Sequence, residues 1–278
     1  MDRRRLLIRL VPIAIAAIVV WFQTQSAEKF TNEAGRTVRV GLNPKQEAAL
    51  GLQSYQQVLS QSQTISTGKE YDMVRRCADR LAQATGDSGK NFTWQVSLVR
   101  SPQVNAFCLP GGKICVYTGI IPVAKTETGL AVVMGHEMAH ATLRHGSERL
   151  LQQKTTNTLM TGVRFSVGDL SYEQQRAVMG AIGAGAQYGF LLPFSREHES
   201  EADEIGLTYM AKAGYDPREA VTFWQRMGQQ SGGQPMEFTS THPSNSTRID
   251  QLKKHMPDAV AIYEASQGKI EREAPSGR

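Results

Sequence analysis

The chain has 278 residues, 40% of them hydrophobic, enough for one substantial core with two sub-lobes around it. Its net charge is +5, but Arg3, Arg4, Arg5 and Arg9 face only Asp2 at the extreme N-terminus, and the remainder is close to balanced. With no dense Lys/Arg block and no internal repeat, this pattern argues against nucleic-acid partners and against a solenoid.

The basic start precedes an uncharged apolar run, Leu10 to Phe22. That is the pattern of a secretory signal or signal anchor. Gln25-Ser26-Ala27 is a poor cleavage site. Cleaved export and an uncleaved anchor therefore both fit residues 1–22, and either one places the rest of the chain on the far side of a membrane. Residues 23–42 are polar and read as a linker. Asn43-Pro44 followed by Glu47 forms a helix-start pattern, with the helix running to about Leu59. Tyr71 to Ala84 reads as a second helix, with Met73, Val74, Cys77 and Leu81 on one side.

Three short strands follow, Trp94–Val99, Ala106–Leu109 and Ile114–Thr118, the last two joined at Gly111-Gly112. If these two form a hairpin, Cys108 and Cys115 lie on adjacent strands, where either a disulfide or two free thiols would fit. Cys77 reads as a buried apolar residue. From Glu127 onward the pattern is almost wholly helical. The expected helices are Glu127–His145, Ser147–Arg164, Tyr172–Gly189, Arg196–Ala213, Pro217–Gln230 and a short Thr247–His255, with a polar, frayed tail beyond Tyr263. The Gly/Ala-rich stretch Ala177–Phe194 reads as a close-packed buried helix rather than a second membrane segment. The expected fold class is α+β: a mostly helical domain over residues 43–265 with a small central sheet, then a tail over 266–278.

The segment His136-Glu137-Met138-Ala139-His140 carries the chemistry. On a helix His136 and His140 stand one turn apart and face the same way, so both imidazoles can bind one Zn²⁺. Glu137 takes the general-base position of an HExxH arrangement. Leu130, Val133, Met134 and Leu143 favour burial of this helix. A catalytic zinc needs a third protein ligand. Leu143 and Gly146 stand where a metzincin would carry glycine and histidine, which excludes that class. His145, five residues past His140, falls off the metal-facing side and reads as structural. Among Glu197, Glu199 and Glu201, only Glu199 has an aspartate one turn later, Asp203, which can accept the free N–H of a ligand imidazole. This favours Glu199 as the ligand and leaves Glu197, Glu201 and Glu204 as a solvated acidic face.

Several stretches together resemble the HtpX-like, CAAX-prenyl-protease-like family of zinc metallopeptidases, most of all its periplasmic LoiP/BepA and mitochondrial Oma-type members. They are Asn105-Ala-Phe-Cys-Leu-Pro-Gly-Gly-Lys113, Tyr117-Thr-Gly-Ile120, Gly135-His-Glu-Met-Ala-His140, Arg144-His145, Pro193 to Asp203 and Thr241-His-Pro243. The resemblance implies a zincin-like fold, one Zn²⁺ and, again, Glu199 as third ligand. It implies that Asn105, Ala106 and Phe107 border the cleft and hold substrate as an added strand, and that His242 lies near the metal. There His242 would either stabilise the oxyanion or occupy the open zinc position and keep the enzyme latent. Arg248 is a further oxyanion candidate, for which a helix-start ion pair is an equal explanation. The expected protein is an exported endopeptidase of the bacterial periplasm or the periplasmic face of the inner membrane, acting on unfolded or misfolded envelope proteins. It would touch the membrane through its N-terminal segment if that is retained. A chaperone or assembly factor with latent proteolysis is the alternative.

Overall fold

The structure, a computed structural model, describes residues 3–176, 194–230, 237–242 and 248–273. Two compact units make up the chain: residues 1–31, 37–43 and 146–192 form one, and residues 32–36, 44–145 and 193–278 form the other.

In the first unit, helix α1 spans Arg3–Ser26, and its Ile8–Ser26 stretch is long and apolar enough to cross a membrane by length and composition. Strands β1 (Glu28–Thr31) and β2 (Thr37–Val40) pair antiparallel, Glu28 against Val40. The linker expected over residues 23–42 is thus the end of a helix followed by a hairpin. The alternation that buries Val38 and Val40 is the period-2 signal for it.

In the second unit, α2 (Pro44–Ser60) and α3 (Lys69–Ala84) accompany a mixed four-stranded sheet whose first strand lies between them in the chain. Its strands are β3 (Thr64–Ile65), β4 (Gln95–Val99), β5 (Ala106–Leu109) and β6 (Lys113–Tyr117), in the order β3-β4-β6-β5. β4 runs parallel to β6, while β5 and β6 form the expected hairpin. Gly111 and Gly112 turn it at φ of 80° and 85°, a region glycine enters without strain. Its register pairs Cys108 with Ile114 and Phe107 with Cys115. That one-residue offset sends the two thiols to opposite faces of the sheet, and both are free. The disulfide alternative is therefore set aside.

The helices follow: α4 (Ile121–Ala124), α5 (Glu127–Thr142), α6 (His145–Ser166), α7 (Arg196–Lys212), α8 (Glu219–Gln230), α9 (Glu237–Thr241) and α10 (Arg248–Glu273). From Gly146 onward α6 belongs to the first unit. The last helix is much longer than the Thr247–His255 segment expected and takes in the tail expected to fray as far as Glu273. Leu252 and Ala259 are buried and α10 packs on α7 and α8, so tertiary burial carries the helix past Pro257. Of the expected helix Tyr172–Gly189, residues 172–176 are helical, while 177–189 and most of the Ala177–Phe194 stretch lie outside the described residues. The core of this unit gathers Leu81, Leu98, Ile114, Leu130, Met134, Met138 and Phe223 around α5.

Candidate metal centre

Helix α5 begins where Thr126 accepts the Gly129 N–H at 3.0 Å, and every residue from Gly129 to Thr142 is buried. A helix buried all round is enclosed on every side, and here α3, β5, α7 and α8 pack against it. Helix α7 starts with a capping box in which the Ser195 hydroxyl accepts from the His198 N–H and the His198 ring accepts from the Ser195 N–H. Glu199 follows in its first turn, where the helix N-terminus favours negative charge. The two helices touch at Gly135 and Gly206. A Cβ on Gly206 would lie 2.9 Å from the His136 nitrogen and 3.0 Å from its Cα, so this approach requires glycine. The close crossing sets His136 and His140 against Glu199 and Asp203.

The four side chains His136, His140, Glu199 and His242 each offer one donor atom, all within 4.8 Å of one another, and all four residues are buried. His136 Nε2 lies 3.1 Å from His140 Nε2 and 3.5 Å from Glu199 Oε2. His140 Nε2 is 3.4 Å from Glu199 Oε1, and His242 Nδ1 is 2.9 Å from the same oxygen and 3.3 Å from His136 Nε2. Donors around a tetrahedral zinc with bonds of about 2.0–2.1 Å stand about 3.3 Å apart, which is the spacing seen here. Glu199 Oε2 and Glu137 Oε1 are buried acceptors without a hydrogen-bond donor, a condition that a cation relieves. The residues fit a zinc ion. Burial raises the Glu137 carboxyl above its ordinary range, with His242 and His136 pulling it back in part, and Glu137 Oε1 stands 3.5 Å from His242 Nε2.

The outer nitrogens of the two α5 histidines are each engaged. His136 Nδ1 lies 2.9 Å from Asp203 Oδ1, as the sequence spacing predicts. Arg248 donates to that same oxygen at 2.6 Å, with its guanidinium stacked 3.3 Å above the Trp224 ring. Its Nη1 is 3.5 Å from Glu199 Oε2. The guanidinium thus pairs with Asp203 and also stands 3.2 Å from His136 Nδ1, beside the donor set. On the other side, His140 Nδ1 meets His145 Nδ1 at 2.9 Å, and His145 Nε2 meets Glu201 Oε2 at 2.9 Å. Burial pushes the His145 imidazole down to about 4, which keeps it neutral at pH 7.

Glu201 corrects the expectation of a solvated acidic face. Glu197 is exposed and Glu204 partly so, but Glu201 is buried and bonded to His145, to Asn32 at 3.0 Å and to Arg36. Burial by itself would raise this carboxyl, yet the bonds from His145 and Arg36 outweigh it and hold it at about 2. Sequence reasoning also missed the aromatic walls: Phe194 lies 4.1 Å from His140, and Phe238 stacks on His242 at 4.5 Å. Neither has a local signature, since they come from segments far apart in the chain. Strand β5 lies at one edge of the sheet against α5, with the expected residues Ala106 buried and Asn105 and Phe107 half-buried. Cys108 on that strand is close enough to Glu137 to feel its charge, although burial is the larger cause of its raised thiol pKa.

The model of Peptidase family M48 matches residues 69–256, which include the whole cluster. The chain is 38% identical over 195 residues to the mitochondrial metalloendopeptidase OMA1 of Schizosaccharomyces pombe, covering 69% of this chain and 55% of that protein. To the human metalloendopeptidase OMA1, mitochondrial, it is 36% identical over 179 residues, covering 62% of this chain and 34% of that one. The β-barrel assembly-enhancing protease of Yersinia pestis is 27% identical over 241 residues, covering 82% of this chain and 49% of its own length. The chain spans about half the length of the first of these relatives and of the Yersinia protein. By that match, which takes in the whole donor set, the chain belongs to peptidase family M48.

Proposed function

We propose that this protein is a zinc-dependent endopeptidase that cleaves unfolded or misfolded proteins, as a quality-control enzyme exported across a membrane to the bacterial periplasm or its membrane face. The observation that carries the reading is the buried set His136, His140 and Glu199 with Glu137 beside it, whose buried Oε1 accepts no hydrogen bond. In this reading His136, His140 and Glu199 hold the zinc and Asp203 fixes the His136 ring. Zinc bound there supplies a Lewis acid that polarises the scissile carbonyl and makes water a better nucleophile. Glu137, its carboxyl raised by burial, takes the proton of the attacking water and delivers it to the leaving amine. A peptide in extended form satisfies its backbone on the open edge of β5, along Asn105, Ala106 and Phe107. A purely structural zinc site would have no use for Glu137. Similarity to proteins named as mitochondrial metalloendopeptidases and as a β-barrel assembly-enhancing protease supports peptide-bond hydrolysis. The apolar Ile8–Ser26 helix supports a location at or across a membrane.

The test is Glu137→Gln. It should keep stoichiometric zinc and lose cleavage of casein by at least about two orders of magnitude, the scale of one general base. Full activity in that variant refutes the assignment.

A second reading rests on His242. Its Nδ1 stands within the donor set, and a catalytic zinc needs one position open. A protein resting in this arrangement would bind clients and cleave them rarely. His242→Ala should then raise casein cleavage while leaving zinc bound. A fall in activity would instead assign His242 to the oxyanion. Binding and cleavage of one unfolded client, with and without chelator, separates a chaperone from a protease.

A further inference from the structure

His140 has a support that reaches beyond the span of the M48 match, residues 69–256. Its Nε2 faces the cluster, so a metal held there leaves the proton on Nδ1, 2.9 Å from His145 Nδ1. The contact is a hydrogen bond only if His145 Nδ1 is the acceptor, which puts the His145 proton on Nε2. That Nε2–H points at Glu201 Oε2, 2.9 Å away. Glu201 also accepts from Asn32 Nδ2 at 3.0 Å and from the Arg36 guanidinium. With a metal on His140 Nε2, one proton assignment satisfies every bond in the series. Asn32 and Arg36 are held by a built turn. The Asn32 side chain accepts the Arg36 N–H at 2.9 Å, the Asn32 N–H donates to the Arg36 carbonyl at 3.0 Å, and Gly35 sits at φ 80°. Arg36 lies 165 residues from Glu201 in the chain and ahead of the residue at which the family match begins, residue 69.

We infer that His145, Glu201 and Arg36 form a positioning relay that fixes the tautomer and ring orientation of His140, as Asp203 does for His136. The inference rests on the reading of His140 as a metal ligand. The inner links are buried, with His145 at 0% and Glu201 at 8% exposure, so water does not replace a broken bond there, and Arg36 closes the relay with a side chain 21% exposed. A ligand histidine whose outer N–H loses its partner typically costs 10–100-fold in metal affinity, about the range expected here.

The experiment measures zinc affinity of the full chain by competition with a chromophoric chelator, together with the visible spectrum of the cobalt-substituted protein. His145→Ala should weaken zinc about 10–100-fold and shift the cobalt bands. His145→Asn, whose amide oxygen can take the place of Nδ1 as acceptor, should recover most of that loss. The isosteric Glu201→Gln should show a smaller weakening in the same direction, and it decides the matter by itself if His145→Ala does not fold. Wild-type affinity and an unchanged cobalt spectrum in Glu201→Gln and in folded His145→Ala overturn the relay. His140→Ala is the control: if it loses zinc while those variants do not, only the relay fails. If His140→Ala binds zinc as the wild type does, the metal-centre reading fails with it.

Discussion

The two histidines of α5 are supported in unlike ways. His136 leans on Asp203, one turn from Glu199 on the same helix, with Arg248 behind it. His140 leans on His145, Glu201 and the turn at Asn32–Arg36, a chain assembled from three separate stretches of sequence. The first arrangement is written in a local spacing and the second only in the fold. What they share is the donor set itself, so the largest expected effect is common to both sides. Glu199→Ala removes the carboxylate that stands beside both imidazoles on the cluster side. Zinc affinity should fall beyond the 10–100-fold expected for an outer residue, with cleavage lost in parallel. Metal analysis of the purified variant checks this, and retention of one zinc per chain would transfer the ligand role to another carboxylate.

The next effect probes how the His140 side is held in place. Arg144, two residues past the end of α5, has a φ of 60°, a conformation costly for a residue with a Cβ, and so turns the chain to bring His145 over His140. Its guanidinium is buried against Glu47 of α2 at 3.0 Å, and both side chains are under a tenth exposed. Removing one member of a buried pair strands the other. Arg144→Ala should therefore lower stability by about 3–5 kcal/mol in urea unfolding. A change under about 1 kcal/mol would mean that the turn is held by other contacts and that the pair matters little.

This contrast explains what the sequence could and could not disclose. The HExxH spacing, the Glu199–Asp203 turn and the β5–β6 hairpin are periodic or local, and each was readable because its partners lie within a few residues. Glu201 was assigned to solvent because, seen along α7 alone, it is one more acidic residue among Glu197, Glu199 and Glu204. Only the arrival of Asn32 and Arg36 from far upstream makes its burial tolerable. The α10 extension failed for a related reason. Pro257 and a polar composition argue for an end, while packing of Leu252 and Ala259 on neighbouring helices overrides the local preference. Residues 23–42 read as a linker although Val38 and Val40 alternate there, a signal too short to stand out beside the apolar run that precedes it.

The smallest of these effects measures the His136 side alone. Asp203 Oδ1 accepts from His136 Nδ1 and from Arg248 at once, at 2.9 and 2.6 Å. Asp203→Asn keeps an oxygen that can accept both bonds and removes only the charge. The His136 ring should stay in place while its basicity drops and Arg248 loses part of its counter-charge. Zinc affinity should fall about 10–100-fold, equivalent to about 1.4–2.7 kcal/mol, with the fold retained by circular dichroism. Set beside Glu201→Gln, the result ranks the two sides. A larger loss from Asp203→Asn fits a carboxylate that touches the ligand histidine directly, against one that acts through an intervening imidazole. Equal losses would mean that His145 transmits the Glu201 charge to His140 almost undiminished. No loss from Asp203→Asn would assign Asp203 to holding Arg248 over Trp224 and leave His136 oriented by packing against Trp224 and Phe238.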